Sequence, residues 1–100
     1  MDPDLPEFMI ADVVSPTAGR ESGKLYYIVG VDGEYILLAN GKDRSLEQPK
    51  RKKRKHANKV LRSETRVAEK IRSGDKVLDS ELRRDLAYLA KEMQSKTIGG

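Results

Sequence analysis

The dipeptide Asp32-Gly33 constrains the fold of this chain more than any other feature, because it separates two runs of strand-forming residues. The runs, residues 25–31 and 34–39, are rich in β-branched and aromatic side chains. Asp-Gly between such runs is typical of a two-residue hairpin turn with positive φ at both positions. The resulting register pairs Val31 with Glu34, Gly30 with Tyr35, and Tyr27 with Leu38. Both faces of the hairpin are largely apolar, which favours a small barrel with a flanking helix over a free hairpin.

Further short strands are predicted on either side of this hairpin. One covers about residues 9–15 and places Asp12 on its solvent face. Another follows the second turn signal, Asn40-Gly41, over about residues 43–47. Several short strands joined by tight turns favour a small β-barrel over a helical bundle.

A loop of small, polar and charged residues, 17–24, separates the first two strands. Pro16 ends the first strand because it has no N–H to donate. The candidate residues of the loop fall into two roles: Gly19 and Gly23 shape it through positive φ, and Arg20 and Lys24 project toward a phosphate backbone. The loop is not a P-loop, because its glycines are four residues apart and Leu25 replaces the hydroxyl that would hold magnesium.

The positive charge of the chain is concentrated in residues 50–62, which hold eight basic side chains and no acidic one. Residues 1–49 hold nine acidic and four basic side chains. Two structures fit residues 50–56: a solvated, disordered basic run, and an ordered last barrel strand with alternate side chains on opposite faces. Either one would neutralise phosphates. The predicted nucleic-acid-binding residues here are Lys50, Arg51, Lys52, Lys53, Arg54, Lys55, His56, Lys59 and Arg62.

Three tyrosines lie in the hairpin. Tyr26 and Tyr35 are candidates for exposed rings on which bases stack, whereas Tyr27 is assigned to the core. Packing is the commoner use of tyrosine in a barrel strand and stays open for both candidates. His56 suits hydrogen bonding or stacking better than catalysis, because its neighbours suggest neither a nucleophile nor an orienting carboxylate.

The pattern changes to a helical period after the basic segment. A first helix is predicted over about residues 62–73, with Gly74 as its C-terminal stop. A second helix is predicted over about residues 80–94. It carries a stripe of apolar residues, Leu82, Leu86, Leu89 and Met93. This stripe must pack against the first helix, the barrel or another chain.

The length of 100 residues predicts one small domain with an appendage. The predicted organisation is a flexible N-terminus over 1–7, a barrel over 8–57, a two-helix extension over 58–96 and a flexible end over 97–100. The chain has no cysteine, which excludes disulfides and Fe–S clusters, and one histidine, which leaves little for a metal site. No segment is signal-like or long enough to span a membrane, so a cytoplasmic protein is expected. A non-enzymatic protein without a cofactor is expected because the carboxylates are scattered and no strong motif pairs them.

The segment from Val13 to Val31 resembles the KOW motif, which occurs in ribosomal proteins and in some transcription and translation factors. The matching features are the pair Val13-Val14, the turn Ala18-Gly19-Arg20, Gly23 followed by Lys24, and the apolar strand that ends at Val31. The resemblance covers about residues 8–62. It points to small bacterial KOW-domain RNA-binding proteins, which are similar to one archaeal and eukaryotic large-subunit ribosomal protein.

The resemblance implies a mainly β fold, an SH3-like barrel of KOW type followed by helices, that binds RNA without catalysis. The implied partner is ribosomal RNA or the large ribosomal subunit, contacted through the glycine loop and the basic strand. Two alternatives stay open. One is a protein-interaction adaptor that uses the barrel and the leucine stripe, with a protein partner on the C-terminal helices. The other is binding to duplex DNA, as in the wider KOW family.

Overall fold

Five short strands form one antiparallel sheet in the computed structural model, which describes residues 7–19 and 23–98. The strands are β1 (Asp12–Pro16), β2 (Tyr26–Asp32), β3 (Tyr35–Ala39), β4 (Lys50–Lys53) and β5 (Ala57–Arg62). Their order in the sheet is β4-β3-β2-β1-β5. The predicted β-rich domain with C-terminal helices is therefore confirmed. The sheet is not closed, however, because β4 and β5 form its two edges.

The β2–β3 hairpin forms where the sequence predicts it, but its register is different. Asp32 pairs with Tyr35, so the two turn residues are Gly33 and Glu34. Gly33 has φ 60°, as the first position of a type II′ turn requires. A bulge between Ile28 and Gly30 shifts the pairing further, so that Gly30 lies opposite Leu37. The predicted pairing of Gly30 with Tyr35 is wrong, because it assumed the wrong turn residues and an unbroken ladder.

The sheet buries a different apolar cluster on each face. One cluster joins the sheet to the helices and includes Val13, Tyr27 and Ala39. The other cluster contains no helical residue and is formed by Phe8 and by residues of the strands: Val14, Tyr26, Ile28, Ile36, Leu38 and Ala57. Burial on both faces explains why the hairpin sequence is apolar at nearly every position.

Two helices, α1 (Arg66–Ser73) and α2 (Asp79–Ile98), cover the first of these faces. The Thr65 hydroxyl accepts the backbone N–H of Ala68 and so caps α1. Gly74 ends α1 in the left-handed conformation, with φ 75°, as the sequence predicts. The helix begins four residues later than predicted because β5 continues to Arg62, which pairs with Asp12 of β1. Residues 57–62 thus belong to the sheet and not to the helical extension.

The leucine stripe of α2 packs inside the domain. Leu82, Leu86 and Leu89 are buried in the cluster that includes Val13 and Tyr27. The sheet and α1 are therefore the surfaces that cover the stripe, and it is not free to pair with a helix of another chain.

A buried polar cluster also fastens α2 to the sheet. We call it the Tyr27 cluster; it consists of Tyr27, Ser63, Thr65 and Asp85. The Tyr27 hydroxyl donates to the Asp85 carboxylate and lies 2.8 Å from the Ser63 hydroxyl. The Thr65 hydroxyl also donates to Asp85, at 2.8 Å. Burial, and next the hydrogen bond to Asp85, raise the pKa of Tyr27 to about 12.

The predicted strand over residues 43–47 does not form. The Asn40 side chain instead accepts three backbone N–H groups, those of Lys42, Asp43 and Arg44, and closes a compact loop. This loop contacts the start of α2, where Asp79 accepts the backbone N–H of Leu46 at 2.8 Å. The local hydrogen bonds of Asn40 thus replace a strand ladder.

Candidate nucleic-acid interface

The basic segment is ordered and has three parts. Lys50–Lys53 form the edge strand β4, Arg54–His56 form a single 3-10 turn, and β5 follows from Ala57. The disordered alternative is therefore wrong. The prediction of one strand over 50–56 is also only partly correct, since the strand ends at Lys53. We call residues 50–56 the basic edge.

Side chains of β4 alternate between the two faces of the sheet. Lys50 and Lys52 lie opposite the buried residues Leu38 and Ile36 and are themselves half-buried. Arg51 and Lys53 point the other way and are exposed. The predicted alternation holds for these four residues and stops at the 3-10 turn. Lys55 and His56, which lie in that turn, are exposed as well.

The start of the glycine loop lies against the basic edge. The backbone N–H of Thr17 donates to the carbonyl of His56 at 2.9 Å. The Lys52 ammonium group donates to the carbonyl of Ala18 at 3.2 Å. Two regions that are more than thirty residues apart in the chain therefore form one continuous surface.

The glycines of this loop have the conformations that the sequence predicts. Gly19 has φ 87° and Gly23 has φ 83°, both in the region that favours glycine. Arg20, the predicted phosphate contact between them, lies outside the described residues.

Lys24 lies away from the basic edge, beside the β3–β4 loop. Its ammonium group forms an ion pair with Asp43 at 3.1 Å. The hydrogen bond from Lys24, and next that from the Asn40 amide, hold the pKa of Asp43 below its usual range. Much of the charge of Lys24 is thus compensated within the protein.

Lys59 and Arg62 lie on β5, at the opposite edge of the sheet from β4. Lys59 forms an ion pair with Asp12 at 3.3 Å. Asp12 is fully buried, so the prediction that it faces solvent is wrong. It turns inward to accept the backbone N–H of Met9 at 2.9 Å, which leaves Lys59 as its counter-charge. Arg62 is exposed, with Nη1 3.5 Å from the Met9 sulfur.

The two candidate stacking tyrosines have different surroundings. Tyr26 is 0 % exposed and belongs to the apolar cluster that contains no helical residue, so the prediction of an exposed ring is wrong. The assumed register placed it on the outer face, whereas both faces of β2 are buried at this point. Tyr35 is half-buried, and the guanidinium carbon of Arg51 lies over its ring, 3.9 Å from the centroid. This is a cation–π contact between neighbouring strands.

The β2–β3 turn adds two acidic residues that the sequence analysis did not assign to the site. The backbone carbonyl of Glu34 accepts the backbone N–H of Arg54 at 2.9 Å, and the Asp32 carboxylate lies 3.8 Å from the Arg51 guanidinium. A cavity of about 240 Å³ is lined by Glu34, Lys53, Arg54 and Lys55. The pairing of β4 with β3 brings this turn to the basic edge. No local sequence signal indicates that pairing.

Lys53 and Lys55 are the most available cations of the basic edge. Both are exposed, and neither forms an ion pair with a described residue. Among the described residues, no group of three or more histidine, cysteine, aspartate or glutamate side chains could hold a metal ion. In the same part of the chain, no helix is both long and apolar enough to cross a bilayer.

Comparisons with known proteins add no family to this description. No protein-family model matches the chain, and no curated protein sequence matches it significantly.

Proposed function

We propose that this protein is a non-catalytic RNA-binding module of KOW type that acts on structured RNA, such as ribosomal RNA, in the cytoplasm. The observation that carries the proposal is the contact of the glycine loop with the basic edge, through Thr17–His56 and Lys52–Ala18. In the KOW resemblance these two elements are the parts that contact RNA. The preference for RNA over DNA rests on this resemblance, since lysine and arginine contact both phosphate backbones.

The electrostatics of the basic edge support binding to a polyanion. Six consecutive cations, residues 50–55, lie in an ordered strand and turn. Arg51 forms an ion pair with Asp32, both of which are exposed, and such surface pairs contribute little. Phosphates can therefore approach Arg51, Lys53 and Lys55 without breaking a strong ion pair to a described residue, and their binding releases counterions.

A lysine-rich edge strand also has a structural use, because charge on an edge prevents strand-to-strand pairing between molecules. That use needs charge but not a particular sign. Phosphate binding, in contrast, needs positive charge. Reversing the sign of exposed lysines therefore separates the two explanations.

The test is a pair of double variants. Lys53→Glu with Lys55→Glu reverses two exposed charges of the basic edge. Lys76→Glu with Lys91→Glu makes the same change at exposed positions on the helical side of the molecule. We would measure dissociation constants for ribosomal RNA, a DNA duplex of matched length and an unstructured polyanion across a salt series.

Wild-type protein should bind the structured RNA at salt concentrations that abolish polyanion binding. The basic-edge variant should lose at least tenfold in affinity, and its log–log salt slope should fall by about 1.5, the value for two lost phosphate contacts. Its oligomeric state should match that of the wild-type protein, because edge protection is retained. An effect of equal size in both variants, or none in either, would contradict the proposal.

The adaptor alternative loses one of its two surfaces, the leucine stripe of α2. Leu82, Leu86 and Leu89 are buried within the domain. No other described observation favours a protein partner over RNA, and we do not propose one.

A further inference from the structure

The contact between Arg51 and Tyr35 has the geometry of a stack that is open on one side. The Arg51 guanidinium carbon lies 3.9 Å from the centroid of the Tyr35 ring, at van der Waals distance. The Arg51 side chain nevertheless stays 59 % exposed. The guanidinium thus lies over the ring, and more than half of the side chain remains exposed to solvent.

This arrangement holds the guanidinium in place before any ligand arrives. A free arginine loses considerable rotamer freedom when it binds, and a side chain that is already fixed loses less. The ion pair with Asp32, at 3.8 Å between exposed groups, is weak enough to leave the guanidinium donors available. Unpaired bases stack on arginine planes as well as on aromatic rings.

A cationic cavity lies next to this stack. Tyr35 pairs with Lys53 across β3 and β4, and Lys53 is one of the residues that line the 240 Å³ cavity. Arg54 lines it too, and its Nε atom is buried without a hydrogen-bond partner. The guanidinium charge of Arg54 adds to the charges of Lys53 and Lys55 and favours an anion in the cavity.

Glu34, the fourth residue of the cavity, shows which anion fits. Its carboxylate would repel a bare phosphate ion. The same carboxylate would accept hydrogen bonds from a ribose hydroxyl or a base amino group. Cations, one acceptor and a stacking plane together match a nucleotide better than they match inorganic phosphate.

We propose that Tyr35, Arg51 and the adjacent cavity bind one unpaired nucleotide of an RNA loop or bulge. The base stacks on the outer face of the Arg51 guanidinium, which Tyr35 supports from below. The phosphate is held by Lys53 and Lys55. This inference rests on the proposed function, and it adds that the module recognises unpaired bases as well as the phosphate backbone.

The experiment compares two single-stranded RNAs of equal length and charge, one with bases and one abasic. Arg51→Lys keeps the charge and removes the plane. Arg84→Lys is its matched control, because it makes the same change at an exposed position on the helical side of the molecule. Dissociation constants would be measured for both strands over a salt series, and inorganic phosphate would be titrated separately.

Arg51→Lys should weaken binding of the base-containing strand about tenfold, since stacking of one base accounts for about 5- to 150-fold in affinity. Binding of the abasic strand and both salt slopes should not change. Arg84→Lys should leave the affinity for both strands within about twofold of wild type. Tyr35→Leu should reproduce the loss seen in Arg51→Lys, because the plane then lacks its support. Inorganic phosphate should compete only weakly.

The inference is overturned if Arg51→Lys affects both strands equally, which would make Arg51 a phosphate contact only. It is also overturned if Arg51→Lys binds like wild type. In both cases the proposed function stands as long as the basic-edge double variant loses RNA affinity. If wild-type protein binds neither strand and no structured RNA, the proposed function fails together with the inference.

Discussion

Replacement of Tyr27 by phenylalanine tests the buried polar cluster that fastens α2 to the sheet. The variant keeps the ring in the core and removes only the hydroxyl that donates to Asp85. A hydrogen bond to a charged group contributes about 1.5 to 3 kcal/mol. Asp85 still accepts from Thr65 at 2.8 Å, and Thr65 lies 3.2 Å from the Ser63 hydroxyl, so the remaining groups satisfy one another. We therefore expect the free energy of unfolding to fall by about 1.5 kcal/mol at neutral pH.

This contribution of Tyr27 should depend on pH in a predictable direction. The pKa of Tyr27 is raised from 10.0 to about 12 in the folded protein. Between these pH values the unfolded chain releases the phenol proton while the folded protein retains it, so the stabilisation declines as pH rises. It is fully present below pH 10. A shift of two units corresponds to at most about 2.7 kcal/mol, and screening at the half-buried Asp85 reduces this to about 1 to 2 kcal/mol.

Urea unfolding of wild type and Tyr27→Phe at a series of pH values between neutral and 11.5 measures this difference. Lysines titrate in the same range, but they are common to both proteins and cancel in the comparison. Tyr88→Phe is the control, because Tyr88 is 55 % exposed and its loss should not change stability by more than a few tenths of a kcal/mol. The reasoning is refuted if Tyr27→Phe is as stable as wild type at neutral pH. A stability difference that persists unchanged above pH 11 would refute it equally.

Two further predictions concern other tertiary contacts. Gly41→Ala should lower the free energy of unfolding by more than about 3 kcal/mol, because φ is 77° and a Cβ would collide with a backbone carbonyl at the start of α2. Gly74→Ala is the control: φ is 75°, but a Cβ would meet open space, so the loss should be only about 1 to 2 kcal/mol. Thermal unfolding of both variants measures the difference. Lys59→Met should lower the free energy of unfolding, measured with urea, by about 1 to 3 kcal/mol, because it removes the counter-charge of buried Asp12. The same change in an Asp12→Asn background should cost at least about 1 kcal/mol less, and equal costs would contradict the ion-pair account.

Local signals in the sequence were sufficient for most elements of the fold. The Gly74 stop and the α2 leucine stripe were correctly placed because each depends on a short stretch of chain. The register of the hairpin was predicted wrongly, because it includes a bulge at Val29. The bulge depends on which of the two apolar clusters each side chain of β2 joins. The wrong prediction for Tyr26 has a different cause, since both faces of β2 are buried at this position.

The candidate site was less predictable than the fold, because its geometry depends on pairing between distant segments. The sequence indicated the cations and the loop-shaping glycines. It could not indicate that Lys59 compensates buried Asp12, or that Lys24 pairs with Asp43. Charge composition cannot distinguish a cation used inside the protein from one available to a ligand. That distinction reduced nine candidate residues of the basic segment to a smaller group around Lys53 and Lys55.

The occurrence of Lys-Arg-Lys-Lys as a β-strand needs a physical reason, because lysine has low strand propensity. Its position at the edge of the sheet supplies one, since each ammonium group of β4 can reach solvent while its stem covers apolar surface. Pairing with β3 supplies another, since Arg51 gains the ring of Tyr35. The interactions that stabilise β4 also fix the orientation of its charged side chains. A disordered run of the same composition would attract the same polyanions, but it could not hold a guanidinium plane beside a cationic cavity. The proposed recognition of an unpaired nucleotide therefore depends on the folding of β4.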